Sequence, residues 1–480
     1  MKKLILLAAV ILAGAMSLQA KSPKRGLSED TFQYKAQLAA VAPGVSWYYN
    51  WGPSVGRYLA GETEMEFVPM CWNGNYDAGA IRTYVGAHPE VKYLLGFNEP
   101  NFTKQANMTP EEAAAKWTEV QALADELGLQ LVAPALNYSP NPPYQSPTQW
   151  MDEFVAIVGK DAFDYTAIHS YGGFGVMKDL ATTFHERYGK PVWVTEFCLW
   201  PNEGDPNSYV APDSQIAAMM QSVEWLEKTE WIYRYAWFKA IGNSSSDKGP
   251  NYGLLLSGKG ENERELSEQG EVYLNLPDFD AEVYHPVNET VSSASYIGQS
   301  GCLLGKSNNV ANPLPIEITR FNAGAWLDYQ FDVPEAGKYN LVLSVSGQGE
   351  PTRFNPTVAI YSVSADGTAS EQLCAPRQFS LSGQDDMYAD EIFAVTLPAG
   401  KQTLRVVDAN AYQPSGIRIA TVGLYDMAGV GDVALGDADQ AVNVYSLQGV
   451  LLRSGVEPSA ATSGLPAGIY IVGDKKITVR

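Results

Sequence analysis

Cysteine is scarce in this chain. Four occur in 480 residues (Cys71, Cys198, Cys302 and Cys374), no CxxC pair is present, and only four histidines could join them. That excludes a disulfide-scaffolded fold and a structural zinc site. Cys71 and Cys198 are expected as buried free thiols, whereas Cys302 and Cys374 lie in one stretch and could pair. Basic residues are also few: 33 Lys and Arg against 54 Asp and Glu, a formal charge of −21, with no basic block. Nucleic acid and anionic membrane surfaces are therefore poor partners. After residue 20 no run is apolar and long enough to cross a bilayer. With 45% hydrophobic and 18% charged residues, disorder throughout is excluded too.

What is present begins with a leader. Lys2 and Lys3 form a basic start, Leu4 to Ala15 an apolar stretch, and small residues follow near Ala20. Residues 1–20 thus read as a secretory signal peptide, and without a cysteine at its end no lipid anchor is supported. The mature protein is expected outside the cell, secreted or at the cell surface. Aromatics are abundant, 11 Trp and 27 Tyr, and exposed ring faces suit neutral hydroxyl-rich ligands because they stack on C–H faces.

The length predicts about two to four domains. Short apolar runs at 24–27, 45–49, 67–70, 93–98, 131–134, 165–169, 192–196 and 234–238 read as strands. Amphipathic helices lie between them. Thr109-Pro110-Glu111-Glu112 forms a capping box with proline at the first helical position, and Gly128 closes the helix. Ser146-Pro147 marks a second start, and stripes from Met177 to Tyr188 and from Ile216 to Leu226 mark two more helices. Eight strand–helix repeats over residues 24–276 predict an α/β fold, a (β/α)8 TIM barrel. Strands at 325–331, 338–345, 357–363, 392–395, 402–408 and 417–425 then predict an all-β sandwich over 280–427. Residues 428–480 read as a linker and a small C-terminal β domain.

In such a barrel the chemistry sits at the C-terminal strand ends. The fourth strand ends in LLGFNEP, placing Asn98 and Glu99 at the rim, and the seventh ends in VWVTEF, placing Glu196 there. Two carboxylates converging on one mouth suit glycosidic bond hydrolysis, one as a proton donor and one as an anion, and their separation would set the stereochemistry. His169 and Tyr171 end the sixth strand. Trp51, Trp72, Trp200 and Trp237, with Trp237 foremost, are candidate sugar-stacking platforms. Asn50 is a further candidate contact, and Asn137 and Tyr138 are weaker ones. No metal or other cofactor is expected, since two carboxylates and water suffice.

The motifs KRGLS (24–28), WYYNWG (47–52), FVPMCW (67–72), GFNEPN (96–101), VAPALN (132–137), AIHSYG (167–172), WVTEF (193–197) and YRYAWF (233–238) together resemble glycoside hydrolase family 128, endo-β-1,3-glucanases of clan A. The resemblance implies Glu99 as acid/base and Glu196 as nucleophile of a retaining double displacement. It implies Asn98 as a contact to the sugar 2-hydroxyl and a laminarin-like β-1,3-glucan as the polysaccharide partner; the chain is expected to act as a monomer. Residues 324–343 and 397–410 resemble carbohydrate-binding modules of the family 6 type. Residues 464–479 resemble the C-terminal sorting domains of type IX secretion in Bacteroidetes. Two alternatives stay open at this level: a non-catalytic surface glycan-binding protein, and a glycosidase for another β-glucan linkage.

Overall fold

The computed structural model describes residues 21–479 apart from 56–62, 202–207, 245–248, 257–264, 311–312, 348–354, 411–415, 427–441, 447–450, 458–459, 466–467 and 473–474. The leader at 1–20 and the linker at 428–441 lie outside the described residues.

Eight parallel strands form the first sheet: β1 (Arg25–Ser28), β2 (Trp47–Tyr49), β3 (Glu66–Phe67), β4 (Tyr93–Leu95), β5 (Gln130–Leu136), β6 (Tyr165–Ser170), β7 (Val192–Phe197) and β8 (Ile232–Phe238). Their order is β3-β2-β1-β8-β7-β6-β5-β4. The ring closes beyond the short β3, where Leu95 N–H donates to Pro69 O at 3.0 Å and Cys71 N–H to Leu95 O at 2.9 Å. The predicted barrel is present, and each predicted strand overlaps an observed one.

Around it run α1 (Lys35–Val41), α2 (Ala78–Ala87), α3 (Pro110–Leu127), α4 (Pro147–Val158), α5 (Phe174–Tyr188), α6 (Pro212–Lys228) and α7 (Glu268–Asn275). The capping box of α3 forms as its residue types require: Glu112 N–H donates to Thr109 Oγ1 at 3.2 Å and Thr109 N–H to Glu112 Oε2 at 2.9 Å. Gly128 takes φ +68° at its end. At α4 the Ser146 hydroxyl pairs with Thr148 Oγ1 at 2.8 Å instead of capping. The sequence reading passed over α1, α2 and α7; the first and last are only 7 and 8 residues long, and α2 carries two glycines that blur its stripe.

Inside the barrel the strand period of two decides what meets the axis. Trp47 and Tyr49, Tyr165 and Ala167, Trp193 and Ala236 form an interior cluster separate from the outer core. Arg234 lies among its rings, 5.4, 4.6 and 5.1 Å from the centroids of Trp47, Tyr93 and Trp193, and its guanidinium pairs with Glu66 at 2.6 Å. This plug fills the lower barrel and leaves the upper mouth for polar groups.

A β-rich domain follows, with β9 (His285–Pro286), β10 (Thr290–Ser292), β11 (Gly298–Lys306), β12 (Ile316–Val333), β13 (Gly337–Gly347), β14 (Thr357–Val363), β15 (Ala369–Gln372), β16 (Arg377–Gln378), β17 (Gln384–Leu397), β18 (Gly400–Asp408) and β19 (Ile417–Asp426). Pairing is antiparallel except between β9 and β12. The last unit is the sheet of β20 (Val442–Ser446), β21 (Leu451–Val456), β22 (Gly468–Val472) and β23 (Lys475–Val479), in the order β21-β20-β22-β23. The β-rich domain docks on the helical shell. Leu304 N–H of β11 donates to Met220 Sδ of α6 at 3.3 Å, and Arg320 pairs with Asp213 at 2.6 Å.

All four cysteines are free. The pairing considered for Cys302 and Cys374 is not made: the buried Cys302 thiol donates instead to the carbonyls of Ser300 and Trp326, each at 3.5 Å.

Candidate active site

The barrel mouth brings Glu99, His169 and Glu196 together. One ligand-type atom of each lies within 4.8 Å of the others, and all three side chains are buried. Glu99 follows β4 in the left-handed backbone region (φ +41°), with its N–H donating to Ala135 O of β5 at 2.9 Å. Positive φ costs a residue with a Cβ, and such strain concentrates at functional positions. Trp51, at φ +60° just after β2, is a second case.

Glu196 reaches the mouth through a bulge. Alternation from the inward Trp193 would turn Thr195 in and Glu196 out. The β6–β7 register runs Ile168↔Val194 and then His169↔Glu196, so one residue is skipped and the carboxylate swings inward. There it is surrounded by donors. Oε1 accepts from Trp51 Nε1 at 2.8 Å and from the Tyr49 hydroxyl at 3.1 Å, and Oε2 accepts a short hydrogen bond from the Tyr171 hydroxyl. His169 Nδ1 lies 2.9 Å from Glu99 Oε1 and 3.4 Å from Glu196 Oε2. Its Nε2 is buried with no partner among the described residues.

The electrostatics follow from this enclosure. Burial pushes the Glu196 carboxyl above the usual range; the His169 charge and the Tyr171 and Trp51 donors oppose that, and the Glu99 charge adds to it. For His169, burial lowers the pKa, but Glu196 and Glu99 outweigh it and the net shift is upward. The hydroxyls of Tyr49 and Tyr171 lie far above the ordinary tyrosine value, first through burial and then through the Glu196 charge. They stay protonated and donate.

The same trio is the one group among the described residues spaced to hold a metal ion. Its atoms are already committed, because Glu196 accepts from two hydroxyls and an indole, and His169 Nδ1 is engaged with Glu99. The donor set is that of a hydrogen-bonded acid pair.

The other expected residues divide. Asn98 is buried at the site; its Nδ2 donates to Gln105 Oε1 at 3.3 Å and its Oδ1 has no partner among the described residues. Trp72 stands beside it, with its carbonyl accepting from Asn98 N–H at 2.9 Å. Trp200 packs edge-on to Tyr171, with centroids 5.7 Å apart. Trp51 contributes its N–H to Glu196 and packs edge-on against Tyr49 and Phe238. Asn50 is half-buried; its Oδ1 accepts from Gly52 N–H at 3.0 Å and its Nδ2 donates to Ser54 O at 3.1 Å, which shapes the Trp51 turn. Trp237 is a correction. It points outward, beside Met219 and Ser222 of α6, is 1% exposed, and gives its N–H to Tyr252 O at 2.8 Å.

Its neighbour Phe238 takes the inward place. Phe238 lies 6.0 Å from Trp51, 5.5 Å from Tyr171 and 6.1 Å from Trp200, closing an aromatic wall beside Glu196. Sequence reasoning missed Phe238 and Tyr49. Counting in twos from Ala236 and from Trp47 would have found both. It also missed Glu29, at the end of β1, which is 1% exposed. Glu29 Oε2 accepts from Ile241 N–H at 2.7 Å and its Oε1 pairs with Lys239 at 3.3 Å, fixing the chain just after Phe238.

An eight-stranded parallel barrel with two apposed carboxylates and an aromatic wall at its C-terminal mouth defines a glycoside hydrolase. The chain belongs to the glycosyl hydrolase catalytic core family, whose model matches residues 26–273. No curated protein matches the chain. Among solved structures, it is similar to a glycoside hydrolase family 128 (subgroup II) endo-β-1,3-glucanase from Pseudomonas viridiflava, with 37% identity over 54% of this chain and 99% of that one and a TM-score of 0.47. It is also similar to a subgroup II enzyme from Sorangium cellulosum, with 32% identity, 53% and 98% coverage and a TM-score of 0.45. A third is a mutant subgroup I enzyme from Amycolatopsis mediterranei in complex with laminaripentaose, with 26% identity, 53% and 99% coverage and a TM-score of 0.43.

Proposed function

We propose that this glycoside hydrolase cuts β-1,3-glucan internally with retention of configuration. Glu196 is the nucleophile and Glu99 the acid/base. One observation carries the reading: His169 Nδ1 stands between the pair, 2.9 Å from Glu99 Oε1 and 3.4 Å from Glu196 Oε2, so the two carboxyls converge on one mouth with an oxygen of each within 4.8 Å of the other. Retention is what the family 128 resemblance implies, and it requires carboxyls about 5–5.5 Å apart, against about 6.5–9.5 Å for inversion. The donor pattern supports the roles. Three donors converge on Glu196 and stabilise its anion, whereas among the described residues the Glu99 carboxyl meets only the imidazole. In the first step Glu196 attacks the anomeric carbon while Glu99 gives its proton to the leaving oxygen. In the second, Glu99 takes a proton from water, which displaces Glu196. Asn98, whose Oδ1 has no partner among the described residues, accepts from the sugar 2-hydroxyl in this reading. The β-1,3 linkage comes from the eight strand-end motifs that resemble family 128.

The leader and the C-terminal motif fit an exported enzyme, secreted or held at the cell surface, that acts as a monomer. The β-rich domain is proposed as a glycan-binding module. One face of its Trp326 is covered by the Arg405 guanidinium, 3.7 Å from the ring centroid, so any sugar stacking there uses the other face.

The test is a product profile on linear glucans, with NMR of the first-formed anomer. A laminarin-like polymer should yield mixed oligosaccharides, β anomer first. Early release of the α anomer would overturn retention, and cleavage confined to β-1,4-glucan would overturn the linkage.

A pH dependence follows. Glu196 must be ionised to attack, and its pKa lies above the usual carboxylate range, so the acid limb of kcat/KM should sit above that range. Tyr171 stabilises the anion, so Tyr171→Phe should move this limb to still higher pH. A limb that stays put or moves down would refute the role of that hydroxyl.

A further inference from the structure

Among the described residues, only two aromatic side chains stand well out into solvent, Tyr138 (53% exposed) and Tyr209 (45%). Tyr138 follows β5, the strand beside β4, three positions after the residue whose carbonyl holds the Glu99 N–H. Its loop is tied to the Glu99 loop on both sides of the ring. Asn101 Nδ2 donates to Asn137 O at 2.8 Å and to Tyr144 O at 3.3 Å, and the Ser139 hydroxyl donates to Asn101 O at 2.9 Å. Asn101 and Ser139 are both buried. The Tyr138 ring has no aromatic neighbour and its hydroxyl no partner among the described residues. An apolar ring held in water gains nothing within the chain, and a backbone fixed on both sides of it lowers the cost of ordering it against a ligand face.

The two walls of the mouth differ accordingly. Trp51, Phe238 and Trp200 are packed on one another on the Glu196 side, while on the Glu99 side, where Trp72 backs Asn98, the Tyr138 ring packs on no other ring among the described residues. The acid/base faces the leaving oxygen, so a sugar on that side is the one departing. We propose that Tyr138 is the stacking platform for the leaving-group sugar, and that by holding an acceptor sugar there it sets the balance between transfer and hydrolysis. This rests on the reading of Glu99 as acid/base. In transfer, the acceptor hydroxyl attacks the anomeric carbon bonded to Glu196. The bond to Glu196 breaks with its electrons returning to the carboxylate, and the acceptor proton goes to Glu99.

The experiment uses the full chain with β-laminaribiosyl fluoride as donor and laminaribiose as acceptor, and compares the tetrasaccharide formed with the total fluoride released. Tyr138→Ala should lower that ratio by about two- to tenfold, the span expected for one stacking contact. Tyr138→Phe and Tyr138→Trp should preserve it, and matched melting temperatures establish that the variants fold. A ratio unchanged in Tyr138→Ala overturns the platform alone. A native protein that releases no fluoride overturns the acid/base and nucleophile reading, and the platform with it.

Discussion

Glu196→Ala is expected to lower hydrolysis of a β-1,3-glucan by roughly 10⁴-fold or more, because no other group in the mouth can form the covalent intermediate. Tyr49, Trp51 and Tyr171 would be left aimed at an empty place. Leaving buried donors unpaired costs about 1–3 kcal/mol each, and Glu196→Gln, which keeps the shape, should be the more stable variant by thermal melting. Azide added to Glu196→Ala with an activated aryl laminaribioside should enter from the vacated face and give the α-glycosyl azide, read by NMR. Residual activity near that of the native protein, or a β-azide from this variant, would sink the assignment.

Glu99→Ala should behave differently with different leaving groups. With the polymer, whose leaving hydroxyl needs a proton, the rate should fall by about 10²–10⁴-fold, the usual contribution of a positioned general acid. With a dinitrophenyl leaving group the first step needs no proton and should be nearly spared, while release from Glu196 becomes slow. Azide should then accelerate turnover and yield the β-glycosyl azide. The two variants thus assign the two carboxyls by opposite anomers of one product. Equal losses on both substrates would argue that Glu99 holds structure and transfers no proton.

His169 links the two predictions. Its Nδ1 faces both carboxyls, so either substitution removes one of the charges that keep the imidazole pKa raised. The proton balance of the whole trio should shift in each variant, and pH profiles should be compared across both before a limb is attributed to one residue.

Much of this molecule is written in local residue pattern. Continuous apolar runs between amphipathic helices specify parallel strands buried on both faces. Thr109-Pro110-Glu111-Glu112 closes its capping box because the orphan donors of a helix start need those oxygens. Glu99 and Glu196, each ending such a run, were legible as a pair because a barrel gathers its strand ends at one mouth. The aromatic wall was not legible. Trp237 and Phe238 are adjacent, both large and both apolar, and a strand sends neighbours to opposite faces, so only the phase of β8 in the closed ring separates platform from packing. The same holds at β7, where a single skipped residue turns Glu196 inward against the count from Trp193. Cys302 met partners close at hand in the chain and across a strand pair, and those contacts claimed a thiol that pattern alone had left free. Periodicity and capping act over a few residues and are carried by composition, whereas register, bulges and the choice of hydrogen-bond partner depend on residues distant in the chain, which meet only once the ring has closed.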